Sequence, residues 1–348
     1  MMKKAYLLPG LLLIFIFSTA CSGGEGPREV SAVTSPAKST DYLSLMPEET
    51  NILFYANIKS IKQTSFGEEL SARFEDEIRV KRDDREYRDF LEATGVNPEK
   101  DIYELWFGST GGDRRDNVGG AIVRGKFDEN KIVEYIEEER YHRLRQNTYR
   151  GHKIYTLEDS YRSRNDGSEF TFLNSETVAI GDGEWLKNVI DLSKDGGKNV
   201  LSNKAMARFI DEVPSKDQLW AVINLNEMTD AWTQKIREQG STFKGTKSIE
   251  NMQSLIFHTR VDKDAKLFIK GDFGTAEEAE LLAETLNGFK AMAKLMVLDD
   301  KEAIDMLNGI KIKSDGSMIH INTTVDKNFF DKVDEKRKKF GGGPVKLL

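Results

Sequence analysis

Cys21 is the only cysteine among the 348 residues of this chain. No disulfide can therefore form within one molecule, and the fold has to rest on its hydrophobic core. The length permits this, because the part behind Cys21 is long enough for two domains of ordinary size. The cysteine also marks a boundary, since an apolar segment precedes it and a polar segment rich in small residues follows it.

Residues 1–20 have the pattern of a secretory signal. Lys3 and Lys4 form a basic start, residues 5–17 are mostly apolar, and Ser18-Thr19-Ala20 are small. A basic start, an apolar run of about 7–15 residues and small residues before the cleavage site define such signals. The apolar run is too short for a membrane-spanning helix, which needs about 20 apolar residues.

Ser18-Thr19-Ala20-Cys21 resembles the lipobox of bacterial lipoproteins, with Ser18 where that motif usually has leucine. The resemblance implies that a diacylglyceryl group is attached to the Cys21 sulfur, that the chain is cleaved before Cys21, and that the new amino group is often acylated. Each buried CH2 contributes ~0.8 kcal/mol to membrane binding, so several acyl chains hold a protein firmly. In a Gram-negative cell, Ser22 fits sorting to the outer membrane. The alternatives are a secreted protein whose cysteine lies at the cleavage site by chance, and a membrane anchor that is not cleaved.

Charge restricts the partners of the mature chain. Residues 1–20 carry two lysines and no acid, so their removal takes the net charge from −7 to −9. An acidic chain without a basic stripe argues against nucleic acid as a partner. It also argues against electrostatic attachment to anionic lipid. We therefore expect the lipid anchor at Cys21 to make the membrane contact, with an envelope protein as the candidate further partner.

Composition divides the chain into segments. Residues 21–40 hold the lipidated cysteine and then a stretch without apolar periodicity, which is typical of a flexible tether. The folded region is predicted to consist of two repeats, residues 41–211 and residues 212–335. Residues 336–348 are basic and then glycine-rich, which predicts a flexible tail.

The two repeats are suggested by three pairs of similar segments in the same order. The pairs are 52–58 with 219–225, 122–127 with 268–273, and 166–172 with 315–321. In the first pair, Pro47 and Pro214 lead into apolar strands that reach Asn57 and Asn224 in step. Collinear matches of this kind indicate an internal duplication. The alternative is that two α+β segments resemble each other by composition alone.

Short apolar strands joined by hairpins, with helices between the sets, predict an α+β fold with a mainly antiparallel sheet in each repeat. The clearest helix is predicted for residues 275–296, where Thr275 is a suitable N-cap. Its apolar stripe is predicted to consist of Leu281, Leu282, Leu286 and Phe289. Trp106 and Trp220 lie in apolar strands and are predicted to be buried, whereas Trp232 is predicted to be exposed.

Short motifs do not identify an active site. The glycine clusters at 108–112 and 119–120 lack the lysine and Ser/Thr of a phosphate-binding loop and predict a hairpin loop. Asp272-Phe273-Gly274 spells a kinase tripeptide, but the other kinase motifs are missing, so we predict a strand end beside a helix cap. Residues 137–145 mix acids and bases, which is typical of a solvated helix end. The four histidines have no metal-ligating spacing. The sequence therefore singles out no catalytic, cofactor-binding or metal-binding residue, and lipidation at Cys21 is the one predicted site.

The tandem layout behind a lipobox is similar to uncharacterised bacterial envelope lipoproteins of unknown function. The similarity lies in the proline-led first strand, the Ala93-Thr94-Gly95 stop and the strand-Gly-x-Phe-helix unit. It provides no function that could be transferred to this chain. Our first hypothesis is a non-enzymatic, membrane-anchored envelope lipoprotein that binds or scaffolds a partner at the membrane surface. Two alternatives stay open: an envelope hydrolase with a dispersed active site, and capture of a small solute between the repeats. A pocket at the repeat junction lined by acids and a histidine would favour the enzyme, and a broad apolar patch would favour partner binding.

The lipobox makes a direct prediction. Cys21→Ser removes the only sulfur that can accept the diacylglyceryl group, so the variant should remain an unlipidated precursor. Metabolic labelling with palmitate followed by fractionation measures this. Equal label in the variant and the unmodified chain would contradict the lipoprotein assignment.

Overall fold

The computed structural model describes residues 40–73, 85–111, 118–138, 142–159, 168–228 and 251–326, together with Phe329. Cys21, the predicted tether, Trp232 and the predicted tail lie outside these residues. Twelve strands of the described part form one sheet, and all of its pairings are antiparallel. The α+β class predicted from the sequence is confirmed.

The strands are β1 (Ile52–Asn57), β2 (Ile102–Ser109), β3 (Gly119–Gly125), β4 (His142–Tyr149), β5 (His152–Asp159), β6 (Ser168–Asn174), β7 (Thr177–Gly181), β8 (Leu219–Asn224), β9 (Ser254–Val261), β10 (Ala265–Asp272), β11 (Lys311–Asp315) and β12 (Met318–Val325). The helices are α1 (Thr40–Leu43), α2 (Ile58–Lys62), α3 (Ser65–Arg73), α4 (Arg85–Thr94), α5 (Pro98–Asp101), α6 (Glu129–Glu138), α7 (Gly183–Asp195), α8 (Lys204–Asp211), α9 (Ala276–Met296) and α10 (Lys301–Gly309).

The order of strands across the sheet is β11-β12-β10-β9-β8-β1-β2-β3-β7-β6-β5-β4. Strands β1 and β8 therefore lie side by side in the interior of the sheet, with Leu53 opposite Val222 and Tyr55 opposite Trp220. The prediction of a separate sheet for each repeat is wrong, because these two strands join both regions into one sheet. The pairing also covers the edge that each strand would otherwise present to solvent.

The connections on the two sides of β1 and β8 follow the same course. On one side, β1, β2 and β3 form a meander, α6 follows, and β7 returns beside β3. On the other side, β8, β9 and β10 form a meander, α9 follows, and β12 returns beside β10. The first two pairs of matched segments, in β1 with β8 and in β3 with β10, thus occupy corresponding places in the strand order.

The third pair of matched segments does not. It equates β6 with β12, but β12 pairs with β10 whereas β6 pairs with β5 and β7. The counterpart of β12 in this order is β7. The error arose because the Asp-Gly-Ser motif at 166–168 resembles the turn at 315–317, although the turn in the corresponding place is the one between β6 and β7.

The largest core cluster lies between one face of the sheet and helices α1, α7 and α8. It includes Trp106, Trp220 and Trp185, which are 1%, 3% and 2% exposed. The rings of Trp106 and Trp220 meet edge to face at 5.7 Å, a favourable aromatic geometry. The predicted burial of Trp106 and Trp220 is confirmed, and these rings fix the sheet against its helices.

The opposite face of the sheet packs against the helices that follow the third strand of each side. Ile132 and Val133 of α6 contact the cluster around Tyr155, and Ala279 and Leu282 of α9 contact Ile319. Gly125 ends β3 close to the start of α6. A Cβ there would lie 2.4 Å from Asp101 O and 2.8 Å from Phe127 Cζ, so only glycine leaves room.

One local prediction is corrected by the structure. The segment 137–145 is only partly helical, because residues 142–145 belong to β4 at the edge of the sheet. Its charged residues suit an edge strand, since charge discourages pairing with another sheet.

Phe273 and Phe127 provide a test of this packing. Phe273 is 2% exposed, whereas Phe127 is half-buried. Phe273→Ala should lower the free energy of unfolding by ~3–5 kcal/mol, because a buried aromatic loses its transfer energy and leaves a cavity. Phe127→Ala should cost less. Urea denaturation measures both, and a smaller loss for Phe273→Ala than for Phe127→Ala would contradict the described packing.

Candidate functional site

Helix α9 begins where the sequence provides a cap. Thr275 Oγ1 accepts a hydrogen bond from Glu278 N at 3.4 Å, and Glu277 and Glu278 lie in the first turn, where negative charge is favourable. The inner face of the helix buries Ala279, Leu282 and Ala283 against the sheet. The small side chains at 279 and 283 let the helix lie close to the strands.

The outer face of α9 is apolar as well. We use this term for four exposed side chains at the end of α9 and just beyond it, together with one nearer its start: Leu281, Met292, Leu295, Met296 and Leu298. Met296 is 85% exposed and Leu295 is 67% exposed. Residues three or four apart on a helix are neighbours, so Met292, Leu295 and Met296 form a continuous patch. Contiguous apolar surface of this kind marks an interaction site.

The apolar stripe predicted from the sequence combined both faces. Leu282 and Leu286 do pack inward, but Leu281 is 51% exposed and Phe289 is 37% exposed at the margin of the outer face. Apolar residues occur all round this helix, so periodicity alone could not show which stripe meets the sheet. One signal in the sequence could have revealed the outer face. Helix α9 contains more apolar residues than a single buried stripe would hold.

Length distinguishes α9 from the helix in the corresponding place on the other side. Helix α6 has 10 residues and α9 has 21 residues. Counted from Gly125 and Gly271, which precede the two helices, the end of α6 corresponds to Glu284. Most of the outer face therefore lies in the part of α9 for which α6 has no counterpart.

Charges around the outer face are segregated along the helix. Glu277, Glu280 and Glu284 lie in the first half of α9, and Lys290 and Lys294 lie in the second half. Lys290 Nζ donates to Ile310 O at 3.0 Å, which ties α9 to the start of β11. Burial lowers the pKa of Lys290, and the nearby charges of Lys294 and Lys311 lower it further. Lys290 thus points towards its own chain.

The structure also brings together a polar cluster that the sequence did not indicate. Asp217 is 1% exposed at its side chain, and it accepts from His258 Nδ1 at 2.5 Å and from Arg260 Nε at 2.9 Å. The His258 ring stacks on Phe268 at 4.8 Å. Both carboxylate oxygens of Asp217 are thus occupied, which is the arrangement of a structural ion pair that fastens the loop before β8 to β9.

A basic set of side chains shares one face of the sheet near this cluster. Alternate residues on a strand point to one face, and the register places five cations together: Arg260, Lys266, Lys270, Lys311 and Lys313. Two of them are paired with acids, Arg260 with Asp217 and Lys270 with Glu212. No local sequence pattern indicates this set, because its members are contributed by three separate strands.

A cleft among the described residues lies elsewhere. It has a volume of about 600 Å3 and lies between the end of α4, the start of α6 and the turn after β6. Lys126, Asp128, Glu129 and Lys131 supply its charged groups. The cleft therefore lies in the part of the fold that contains β1–β7, and not at the junction of β1 with β8. Its lining contains acids but no histidine.

The structure shows where the short sequence motifs lie. Gly108 lies in β2, and Gly119 and Gly120 lie in β3, so the glycine clusters flank a hairpin as predicted; residues 112–117 lie outside the description. Asp272 ends β10 and Thr275 caps α9, which confirms the strand end beside a helix cap. In the described ranges no helix is both long and apolar enough to cross a membrane.

Comparison with solved structures gives a distant likeness. No protein-family model matches the chain, and no curated protein matches its sequence. Among solved structures, crystal form III of TP0453 of Treponema pallidum is similar with a TM-score of 0.43 and 10% identity, over 84% of this chain and 97% of that chain. Crystal form I of TP0453 has a TM-score of 0.43 and 7% identity, over 88% of this chain and 99% of that chain. The likeness is too distant to carry a functional conclusion.

The two faces of α9 can be separated by one matched pair of variants. Leu282→Ala should lower the free energy of unfolding by ~2–5 kcal/mol, because it empties a buried position. Leu295→Ala makes the same chemical change on the outer face and should alter stability by less than about 0.5 kcal/mol in dilute solution. Urea denaturation measures both. Equal losses would mean that Leu295 packs against its own chain and would remove the outer face as a binding surface.

Proposed function

We propose that this chain is a lipid-anchored binding or scaffolding protein of the bacterial envelope, and that the outer face of α9 is its binding surface. The observation that carries the binding role is the exposure of Met292, Leu295 and Met296 on one continuous patch. Burying apolar surface contributes about 25 cal/mol per Å2. A partner that covers this patch would therefore be bound more tightly. Methionine suits such a surface because its side chain adapts to a partner.

The proposed location rests on the sequence. The secretory pattern and Cys21 support export and lipidation, and the segment between Cys21 and Thr40 supports a tether that holds the folded part near the membrane surface. In a Gram-negative cell we infer the outer membrane, because Ser22 follows the cysteine. The tether limits how far α9 lies from the bilayer, so partners carried by the same envelope meet it at raised effective concentration.

We also infer that the folded part arose by internal duplication. Two hydrogen bonds in corresponding places support this. Phe127 N donates to Ser175 O in the turn between β6 and β7, and Phe273 N donates to Ser317 O in the turn between β11 and β12, both at 2.9 Å. In this interpretation the longer α9 is the later specialisation, and a role specific to the second copy follows from its outer face.

A second candidate function is capture of a small solute in the cleft near α4 and α6. Its volume of about 600 Å3 lies in the range of ligand pockets, which are usually lined mainly by apolar groups. Four charged residues line this cleft, so a polar solute would be the expected occupant. The outer face of α9 remains the better supported site, because it exposes apolar surface that a partner would bury.

Site-specific crosslinking in intact cells tests the binding role. A photo-crosslinking amino acid at position 296 should form protein adducts, whereas one at Lys263, an exposed residue in the β9–β10 turn, should not. Cys21→Ser should reduce the yield at position 296, because it removes the acyl chains that are expected to anchor the mature protein in the membrane. Equal or absent adduct formation at positions 296 and 263 would contradict the proposed surface.

A further inference from the structure

We propose that the partner of the outer face of α9 is a second copy of this chain, packed antiparallel against it with Gly288 at the twofold axis. The inference rests on the proposed function, because it takes the outer face as the binding surface. It goes further by naming the occupant, its orientation and its register.

The spacing of residues along the outer face favours a helix as the partner. Leu281, Thr285, Gly288, Met292 and Leu295 follow one another at intervals of four, three, four and three residues. This is the interval of a coiled-coil seam, in which side chains of one helix fit between those of another. A flat or extended partner would not require it.

Gly288 lies at the middle of this seam. It is exposed, and a Cβ built on it would meet nothing within 4 Å, so its own chain does not require glycine there. The absence of a side chain lets another helix backbone approach closely. In an antiparallel pair centred on Gly288, Leu281 is seven residues from the axis on one side and Leu295 is seven residues from it on the other. Each leucine therefore faces the other leucine of the second copy.

The charges of α9 select the antiparallel orientation. A parallel pair would place Glu280 and Glu284 beside the same acids of the second copy, and Lys294 beside Lys294. An antiparallel pair places Lys294 of the second copy opposite position 282, between Glu280 and Glu284. Opposite charges that flank a seam fix partner and orientation, and like charges exclude the alternative.

The same charges argue against a lipid surface as the occupant. Interfacial helices place lysines beside the apolar face, where anionic lipid attracts them. On α9 the exposed acids Glu277, Glu280 and Glu284 flank the seam, Lys290 is committed to Ile310 O, and Lys294 is the other lysine of this helix. Anionic headgroups would repel this helix, whereas a second copy complements it.

The expected dimer is weak in solution and favoured on a membrane. The outer face comprises five large side chains, so the buried surface is on the order of several hundred Å2 per copy, the lower end for specific interfaces. Two lipid-anchored copies lie on the same membrane surface. Their tethers keep them near it, which raises the effective concentration that each copy presents to the other. Self-association would then follow the density of the protein on the membrane.

Cysteine crosslinking tests the register. In the full chain carrying Cys21→Ser, Gly288→Cys alone should form a disulfide-linked dimer under mild oxidation, because the two copies of position 288 meet at the axis. Leu281→Cys alone and Leu295→Cys alone should not, since each lies about 21 Å along the helix from its copy at 1.5 Å per residue. A mixture of these two variants should crosslink. Lys263→Cys is the exposed control and should stay monomeric.

A charge exchange provides a second, independent readout. Glu280→Lys with Glu284→Lys should weaken self-association by at least about tenfold in sedimentation measurements, which corresponds to ~1.4 kcal/mol. Adding Lys294→Glu should restore it, because the complementary pairs are rebuilt between copies. A variant that merely misfolded would not be rescued.

The outcomes separate this inference from the proposed function. If Leu281→Cys and Leu295→Cys each crosslink with themselves, the antiparallel register is overturned. If Gly288→Cys stays monomeric while the photo-crosslinker at position 296 joins a different protein, the second copy is overturned and the binding surface stands. If neither position forms an adduct, both proposals fall.

Discussion

The pairing of β1 with β8 is the contact on which the rest of the structure depends. It joins seven strands on one side and five strands on the other into one sheet, and Tyr55 lies opposite Trp220 within it. Asn224 N donates to Asn51 O at 2.8 Å beside this pairing, so the buried backbone there is satisfied. Without this contact, both strands would be exposed edges, and the aromatic core that spans Trp106 and Trp220 would be divided.

The parts of the fold on either side of the β1–β8 pairing differ in the length of one helix. The course of β1–β3 and α6 corresponds to that of β8–β10 and α9, but α9 has 21 residues whereas α6 has 10. The added residues include the exposed Met292, Leu295 and Met296, which have no counterpart on α6. The proposed function is thus located where the two sides differ, while the features they share maintain the fold.

The sequence was informative wherever one local signal determined one local structure. Thr275 capped the predicted helix, Gly95 adopted the positive φ of a helix end, and the β11–β12 hairpin turned at Gly316. It failed where the answer depended on long-range pairing. Nothing local shows that β1 meets β8, that β4 is an edge strand, or that Asp217 meets His258 across 41 residues. The outer face was misjudged because Leu281 and Leu282 are adjacent and equally apolar, and only the sheet selects between them.

Methyl NMR of the methionines offers the most direct measurement of the central claim, that the outer face of α9 binds a second copy. Met292 and Met296 lie on that face, whereas Met46 and Met206 are fully buried in the main core and serve as internal references. On raising the protein concentration, the methyl signals of Met292 and Met296 should shift together while those of Met46 and Met206 stay in place. Signals of Met292 and Met296 that remain constant up to millimolar concentration would contradict the account.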